Sequence, residues 1–355
     1  MPEAVIVDAI RTPIGRAAKG SLKSVRGDDL AAIPLKALIE RNPQLDQRSI
    51  GDVMMGCGYG ERETGYNIGR MASLLAGIDY HVPGCTVNRF CASSLQTTRM
   101  AFHAIKAGEG DTYIAAGVEA VSRTAAGAPF EFHHKLDGSP DSLYNAYITM
   151  GMTAENVAEE RKVSREAQDA WALISQTRAV AAQQSGHFDK EIVPVPVPAH
   201  KDVDKEGNEI DVPESVMSKD DGPRPGTTLE GLAALKPVFK EGGTVTAGNA
   251  CPLNDGAAAV LVMSDEKARA LGLEPKARII ASTVAAIRPE IMGLGPIPAI
   301  QALLKQTGMT IDDIDIVEIN EAFAAQIVPC KDELGYPMRS STHSAARSRS
   351  GTRSG

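Results

Sequence analysis

Short runs of β-branched and apolar residues alternate along the chain with longer segments whose apolar positions recur at helical spacing. Ala4-Val5-Ile6-Val7-Asp8 reads as a strand, and Asp28 to Arg41 as a helix carrying Leu30, Ile33, Leu35, Leu38 and Ile39 at roughly helical spacing. Asp52-Val53-Met54-Met55 predicts a second short strand. Tyr113 to Val118 predicts a buried strand that follows a helix ending near Gly108. Strand patterning returns at Ala257 to Ser264, at Arg278 to Ser282 and at Ile314 to Ile319. Alternation of this kind belongs to a layered α/β sheet.

The middle has another texture. From Arg123 to about Thr246, loops rich in Gly, Pro and charge surround one long helix, Ser164 to Ser185. Ser164 can cap that helix, but Ala167 stands where the reciprocal Glu or Gln of a capping box would be. The region reads as an inserted lobe. There is also an internal echo: Ser49-Ile50-Gly51-Asp52-Val53-Met54-Met55 and Thr310-Ile311-Asp312-Asp313-Ile314-Asp315-Ile316 each follow a helical segment and lead into a strand pattern, which hints at a duplicated domain.

With 355 residues, the chain is long enough for two or three domains. The balance of 37 basic against 45 acidic side chains and an aromatic content of 4% offer no basic field or stacking platform for nucleic acid, and no attraction to an anionic membrane. The charge is unevenly placed, since Arg339 to Gly355 hold four Arg and no acid. The cysteines, Cys57, Cys85, Cys91, Cys251 and Cys330, form no CxxC pair and have no His at ligand spacing. They predict reduced thiols in a cytoplasmic protein and no metal site. Met1-Pro2-Glu3 lacks the basic start of a signal peptide, and Ala257 to Met263 falls far short of a membrane span.

Three segments can carry chemistry. Gly84-Cys85-Thr86-Val87-Asn88-Arg89-Phe90-Cys91-Ala92-Ser93-Ser94-Leu95 places Cys91 just before a helix expected to turn Leu95, Phe102 and Ile105 inward. A thiol there faces unpaired N–H groups and the positive end of the helix dipole, which favour a nucleophilic thiolate; a buried core cysteine is the other reading. Thr244 to Gly256, with Gly248 inside it, is rich enough in small residues for a ligand to approach its backbone, or is a tight turn into the Ala257 strand. Asn320-Glu321-Ala322-Phe323-Ala324 is placed between an expected strand and an expected helix, where Asn320 either holds a water or caps the helix.

Taken together, the chain resembles the thiolase family. Arg11-Thr12-Pro13-Ile14-Gly15-Arg16, the Cys91 segment, Gly117-Val118-Glu119-Ala120-Val121-Ser122-Arg123, Met150-Gly151-Met152-Thr153-Ala154-Glu155-Asn156, the Gly248 loop, Gly293-Leu294-Gly295-Pro296-Ile297-Pro298 and Asn320 to Ala324 follow one another in the family's order, as far as about Met338. The resemblance implies duplicated α/β halves in five layers with an inserted loop domain. The N-terminal half is 1–122, completed by about 247–270; the CoA-binding loop domain is 123–246; an incomplete C-terminal half is 271–338; and 339–355 is an aberrant Arg/Ser-rich tail.

The same resemblance implies the chemistry. Cys91 attacks the keto carbonyl of a 3-ketoacyl-CoA, forms an acyl-enzyme and passes the acyl group to CoA; the reverse direction condenses two acyl-CoA molecules. Asn320 matches the Asn that orients a water in an oxyanion hole. Arg224 matches a residue that meets the nucleotide end of CoA, with a solvated loop charge as the other reading. Met150, Leu235, Phe239, Ala247, Cys251 and Phe323 fall at the pantetheine site. CoA is then a co-substrate, no cofactor is permanently bound, and the protein is a homo-oligomer. Cys251 replaces a frequent Ser, Thr149 a His of acetoacetyl-type members, and Cys91-Ala92-Ser93-Ser94 their Cys-Gly-Ser-Gly, which points toward 3-ketoacyl-CoA degradation in β-oxidation.

Family members continue into a Gly-His-Pro motif and a second catalytic Cys. Here neither occurs, and His343, in Ser341-Thr342-His343-Ser344, is a poor substitute. Ser344 to Gly355 can be written in GC-rich codons that, read two bases later, encode GGAIALGHPFG, the family motif. This predicts a reading-frame shift near Met338 and, for the chain as written, a second half that is cut short and no thiolase turnover. The alternative to that frame shift is an independent disordered tail. Two other functional readings stand beside the enzyme: a non-catalytic acyl-CoA or lipid-binding protein, and a product whose second half leaves strands unpaired and does not fold.

Overall fold

The computed structural model describes residues 2–124, 131–204 and 206–336. His343 and the tail 339–355 lie outside the described residues. In chain order the elements begin with β1 (Ala4–Arg11), β2 (Gly15–Arg16), α1 (Gly27–Arg41), β3 (Val53–Gly56), α2 (Ile68–Leu75), β4 (Gly84–Val87), α3 (Ser93–Ala107), β5 (Thr112–Ala120) and α4 (Val121–Thr124). The middle holds α5 (Met150–Glu160), α6 (Arg165–Gln184), the short strands β6 (Val195–Val197), β7 (His200–Val203), β8 (Glu209–Val212) and β9 (Ser215–Met217), and α7 (Leu229–Ala233). Then come β10 (Asn254–Ser264), α8 (Asp265–Ala270), β11 (Ala277–Arg278), α9 (Pro296–Thr307) and α10 (Ala324–Leu334).

These residues fall into two compact units. One gathers the described residues of Met1–Pro129, Phe188–Gly222 and Pro252–Ser282. It holds a mixed sheet in the order β11-β1-β10-β5-β3-β4, with β2 also paired to β10. The strands β3, β4 and β5 run parallel, while β10 is antiparallel to both β1 and β5. Leu30, Leu35 and Leu38 of α1 are buried against this sheet in one apolar cluster with Met55, Ile114, Leu261 and Met263, and Phe102 and Ile105 of α3 join another with Met54, Tyr113 and Val262.

Leu95 does not turn inward as expected; it is 73% exposed. At roughly 100° per residue, the buried arc of α3 centres between Ser93, Thr97, Ala101 and Ala104, and Leu95 falls about 165° away. Phe102 lies near the same edge and reaches the core because its ring is long.

The other unit gathers the described residues of Phe130–His187, Pro223–Cys251 and Thr283–Gly355. Its apolar residues pack α5, α9 and α10 around Val157, Ile291, Leu294, Ile297 and Cys330. Ser164 caps α6 by accepting from the Ala167 N–H at 3.2 Å, the half signature the sequence carries.

Both copies of the internal echo form a 3₁₀ turn, Gln47–Ser49 and Ile311–Asp313, the second closed by a reciprocal Thr310–Asp313 capping box. The first copy continues into β3, which has a parallel neighbour on each side. The second runs on from Ile314 without entering a ladder, and of Arg278 to Ser282 only Arg278 is in a strand. An alternating apolar sequence becomes a strand only where a neighbour takes its N–H and C=O groups. Among the described residues no strand does so for Ile314 to Ile319, and β1 pairs with the other segment only at Arg278 and the Ile279 N–H, which donates to the Ala4 carbonyl at 2.9 Å.

Candidate active site

Two glycines on adjacent strands fix where the first candidate residue lies. Gly56 closes β3 and stands in parallel register with Gly117 of β5. A methyl group on Gly56 would lie 2.6 Å from the Ser93 carbonyl carbon and 2.7 Å from the Ser94 nitrogen; one on Gly117 would lie 1.9 Å from Ser94 Oγ. With only hydrogens there, the first turn of α3 settles at the carboxyl end of the parallel strands, where functional groups of such sheets gather.

Cys91 lies in the 3₁₀ turn Phe90–Ala92 that leads into α3, and it is exposed. Phe90, the residue before it, has φ of 45°, in the left-handed region that a bulky side chain rarely adopts. Ser93 braces this turn: its Oγ accepts from the Arg89 N–H at 2.8 Å and donates to the Phe90 carbonyl at 2.6 Å. Three other thiols are held protonated, first of all by burial. Cys57 and Cys85 are each pushed up to about 12 and Cys330 to about 11. Cys91 and Cys251 are the two exposed ones.

In the second unit, most of the candidate CoA-contacting residues come together. The Phe239 ring lies so close to Gly151, next to Met150, that a methyl group there would sit 2.1 Å from it. Phe239 meets Phe323 edge to face at 6.1 Å. Leu235 covers Gly248, adjacent to Ala247. Ala250 bridges to Phe323, and the Cys251 N–H donates to the Ala322 carbonyl at 2.9 Å. Met150, Leu235 and Phe239 are 43%, 39% and 42% exposed, so apolar surface remains open along this patch. Arg224 is exposed, with its backbone N–H on the Gln176 side chain. Asn320 does not cap the following helix: α10 begins at Ala324 with Phe323 as its N-cap, which leaves the exposed Asn320 three residues short of the cap position.

Sequence reasoning missed the buried polar group beneath this patch. Arg165 pairs with Asp169 one turn on at 2.7 Å and also donates to the carbonyls of Leu232 and Leu235. Asp169 accepts from the Asn249 amide at 3.0 Å, Asn249 Oδ1 accepts from the Thr246 N–H, and the Asn249 carbonyl accepts from the Ala324 N–H that opens α10. One buried triad thus ties the Leu235, Ala247 and Phe323 segments together. The i, i+4 pairing of Arg165 with Asp169 at a helix start was its only sequence signal. Asp169→Ala is expected to lower stability by about 3 kcal/mol, because it leaves a half-buried guanidinium and a buried amide without their partner. Urea denaturation measures this, and a loss below about 1 kcal/mol would refute the role.

Two family models match almost the whole of the described chain: thiolase, N-terminal domain, over residues 4–266, and thiolase, C-terminal domain, over residues 273–344. The chain belongs to the thiolase family. The thiolase is 49% identical to the beta-ketoadipyl-CoA thiolase of Acinetobacter baylyi, over 94% of this chain and 84% of that one. It is 45% identical to the 3-ketoacyl-CoA thiolase of Cronobacter sakazakii, over 94% and 84%. Its fold matches the crystal structure of the dimeric peroxisomal thiolase of Saccharomyces cerevisiae with a TM-score of 0.86 at 35% identity, over 96% of this chain and 84% of that one. The α/β architecture is therefore the thiolase fold, and the protein is an acyltransferase acting on acyl-CoA substrates. Among the described residues, no helix is long and apolar enough to cross a membrane.

Proposed function

We propose that the chemistry of this thiolase is cleavage of 3-ketoacyl-CoA through an acyl-Cys91 intermediate, with CoA as co-substrate and no permanently bound cofactor, and that the chain as written, without the Gly-His-Pro motif and the second catalytic Cys, carries the acyl transfer to Cys91 but not turnover. The observation that carries the reading is the placement of Cys91, an exposed thiol in the turn before α3 at the carboxyl end of three parallel strands. Its thiolate adds to the C3 carbonyl; the C2–C3 bond then breaks, its electron pair leaving with C2 as the enolate of acetyl-CoA, which takes up a proton. The thiol of CoA next attacks the acyl-Cys91 thioester, losing its own proton, and Cys91 is released as thiolate. Protons balance over the two halves.

The open apolar patch of Met150, Leu235, Phe239, Ala247, Cys251 and Phe323 suits the pantetheine arm, Arg224 the phosphates at its far end, and Asn320 a water that holds the oxyanion. In this reading residues 123–246 are the lobe that holds CoA. Five free cysteines suit the reducing cytoplasm.

The acyl group is of the 3-oxoadipyl kind, a chain ending in a carboxylate, on the strength of the 49% identical relative that bears that name. Straight-chain 3-ketoacyl-CoA of β-oxidation is the competing substrate, and a homodimer is the assembly that the yeast relative suggests. Single-turnover acylation of Cys91, read by intact mass, should be at least about tenfold faster with 3-oxoadipyl-CoA than with 3-ketohexanoyl-CoA. Light scattering on the same preparation should give twice the 37.5 kDa chain mass. Preference for the straight chain would move the protein to β-oxidation, and a monomer would overturn the assembly.

A further inference from the structure

The turn that carries Cys91 is held by a chain of hydrogen bonds that begins on the interior strand β5. The Glu119 carboxylate, on β5, accepts from the backbone N–H groups of Gly58 and Tyr59 and from the Cys57 thiol. Burial is the main influence on this carboxyl and raises it above the ordinary range, against which these three donors act. The segment so fixed presents the Gly58 carbonyl to the Asn88 side chain, whose Nδ2 donates to it at 2.9 Å. The same amide turns its Oδ1 to the N–H of Phe90 and accepts at 2.8 Å. Gly58 lies against Phe90 so closely that a methyl group on it would be 3.3 Å from the Phe90 Cα and 3.1 Å from the Glu119 carboxylate, and the Tyr59 ring meets the Phe90 ring edge-on at 6.3 Å.

Phe90 is the residue that needs holding. Its left-handed backbone is strained for a bulky side chain and persists only where neighbours over-determine it. Ser93 grips the turn from the helix side through Arg89 N–H and the Phe90 carbonyl, and Asn88 grips it from the strand side through the Phe90 N–H. Releasing either side lets Phe90 fall back toward negative φ, which swings the next residue, Cys91, away from the first turn of α3.

We infer that Glu119 and Asn88 are positioning residues for the nucleophile: Glu119 anchors the Cys57–Tyr59 segment, and Asn88 transmits that anchor to the strained Phe90 and so aims Cys91. Neither residue touches the reacting atoms. The inference rests on the reading of Cys91 as nucleophile, and the test keeps the two apart.

The experiment alkylates the full chain with iodoacetamide at one fixed neutral pH and follows Cys91 and Cys251 separately by peptide mass spectrometry. Cys251, the other exposed thiol, is the internal reference, because general loosening of the fold alters both rates whereas a positioning role alters only one. For Asn88→Ala and Glu119→Gln the Cys91/Cys251 rate ratio is expected to fall about tenfold, as the thiol leaves its place at the first turn of α3. Asn88→Asp keeps the oxygen that receives the Phe90 N–H and should retain the ratio to within about threefold. An unchanged or increased ratio in Glu119→Gln, or equal losses in Asn88→Asp and Asn88→Ala, overturns the inference. Should Asn88→Ala fail to fold, Glu119→Gln alone decides. Failure of the nucleophile reading looks different: the unsubstituted chain, fully alkylated at Cys91, would still take an acyl group from acyl-CoA.

Discussion

Cys91→Ala is expected to abolish transfer of an acyl group from acyl-CoA to the protein, lowering the first half-reaction by at least about a thousandfold. Intact mass after incubation with acetyl-CoA, together with the burst of free CoA thiol, reads this step without the second substrate. The size of the effect follows from which thiols can replace Cys91. Burial holds Cys57, Cys85 and Cys330 protonated and shielded. Only Cys251 is comparably exposed, but it precedes Pro252 and lies in no turn leading into a helix, unlike Cys91 before α3. Cys251→Ala should therefore keep acyl transfer to within a few-fold. An equal burst from the Cys91→Ala protein would mean that another group carries the acyl chain. A large loss in Cys251→Ala would mean that the two thiols act together.

The fold and the site were legible to different depths. Strands such as Thr112–Ala120, and the end of Asn254–Ser264 from Leu261 on, could be read because both of their faces are covered, which turns the sequence into a continuous apolar run. The expected strands at Arg278 to Ser282 and Ile314 to Ile319 carry similar residues, yet a ladder depends on partners that local pattern does not contain. Leu95 fails for a related reason: helical spacing gives a stripe, and packing against Gly56 and Gly117 decides which stripe faces inward. The segment of Cys91 was visible because a reactive thiol with small neighbours before a helix is a local arrangement. Asp169, Asn249, Asn88 and Glu119 were not visible, since each acts through partners 30 to 80 positions away or through backbone groups that any residue could supply. Ordinary polar residues acquire such roles only when the chain closes around them.

Gly56→Ala is expected to destabilise the first unit by about 3 kcal/mol and to slow acyl transfer about a hundredfold in the protein that remains folded. Small-to-large changes are cheap where the obstructing atom ends a flexible side chain. Here the atoms at 2.6 and 2.7 Å are backbone atoms of Ser93 and Ser94, and Ser93 Cβ follows at 2.8 Å. Backbone in a helical first turn cannot rotate away, so either β3 bends out of its ladder with β4 and β5, or the start of α3 lifts off the sheet. The first breaks hydrogen bonds on both sides of a central strand. The second moves Cys91, two residues before α3, by a distance of the order of the overlap, about 1 Å, which is enough to spoil an attack geometry. Urea denaturation and the acetyl-CoA burst separate the two outcomes. A bent strand lowers stability and leaves the burst rate of the folded fraction intact, whereas a lifted helix lowers the rate even where the protein is fully folded. A variant within about 1 kcal/mol of the parent and with its full burst rate would show that the two glycines do not set the seat of the nucleophile.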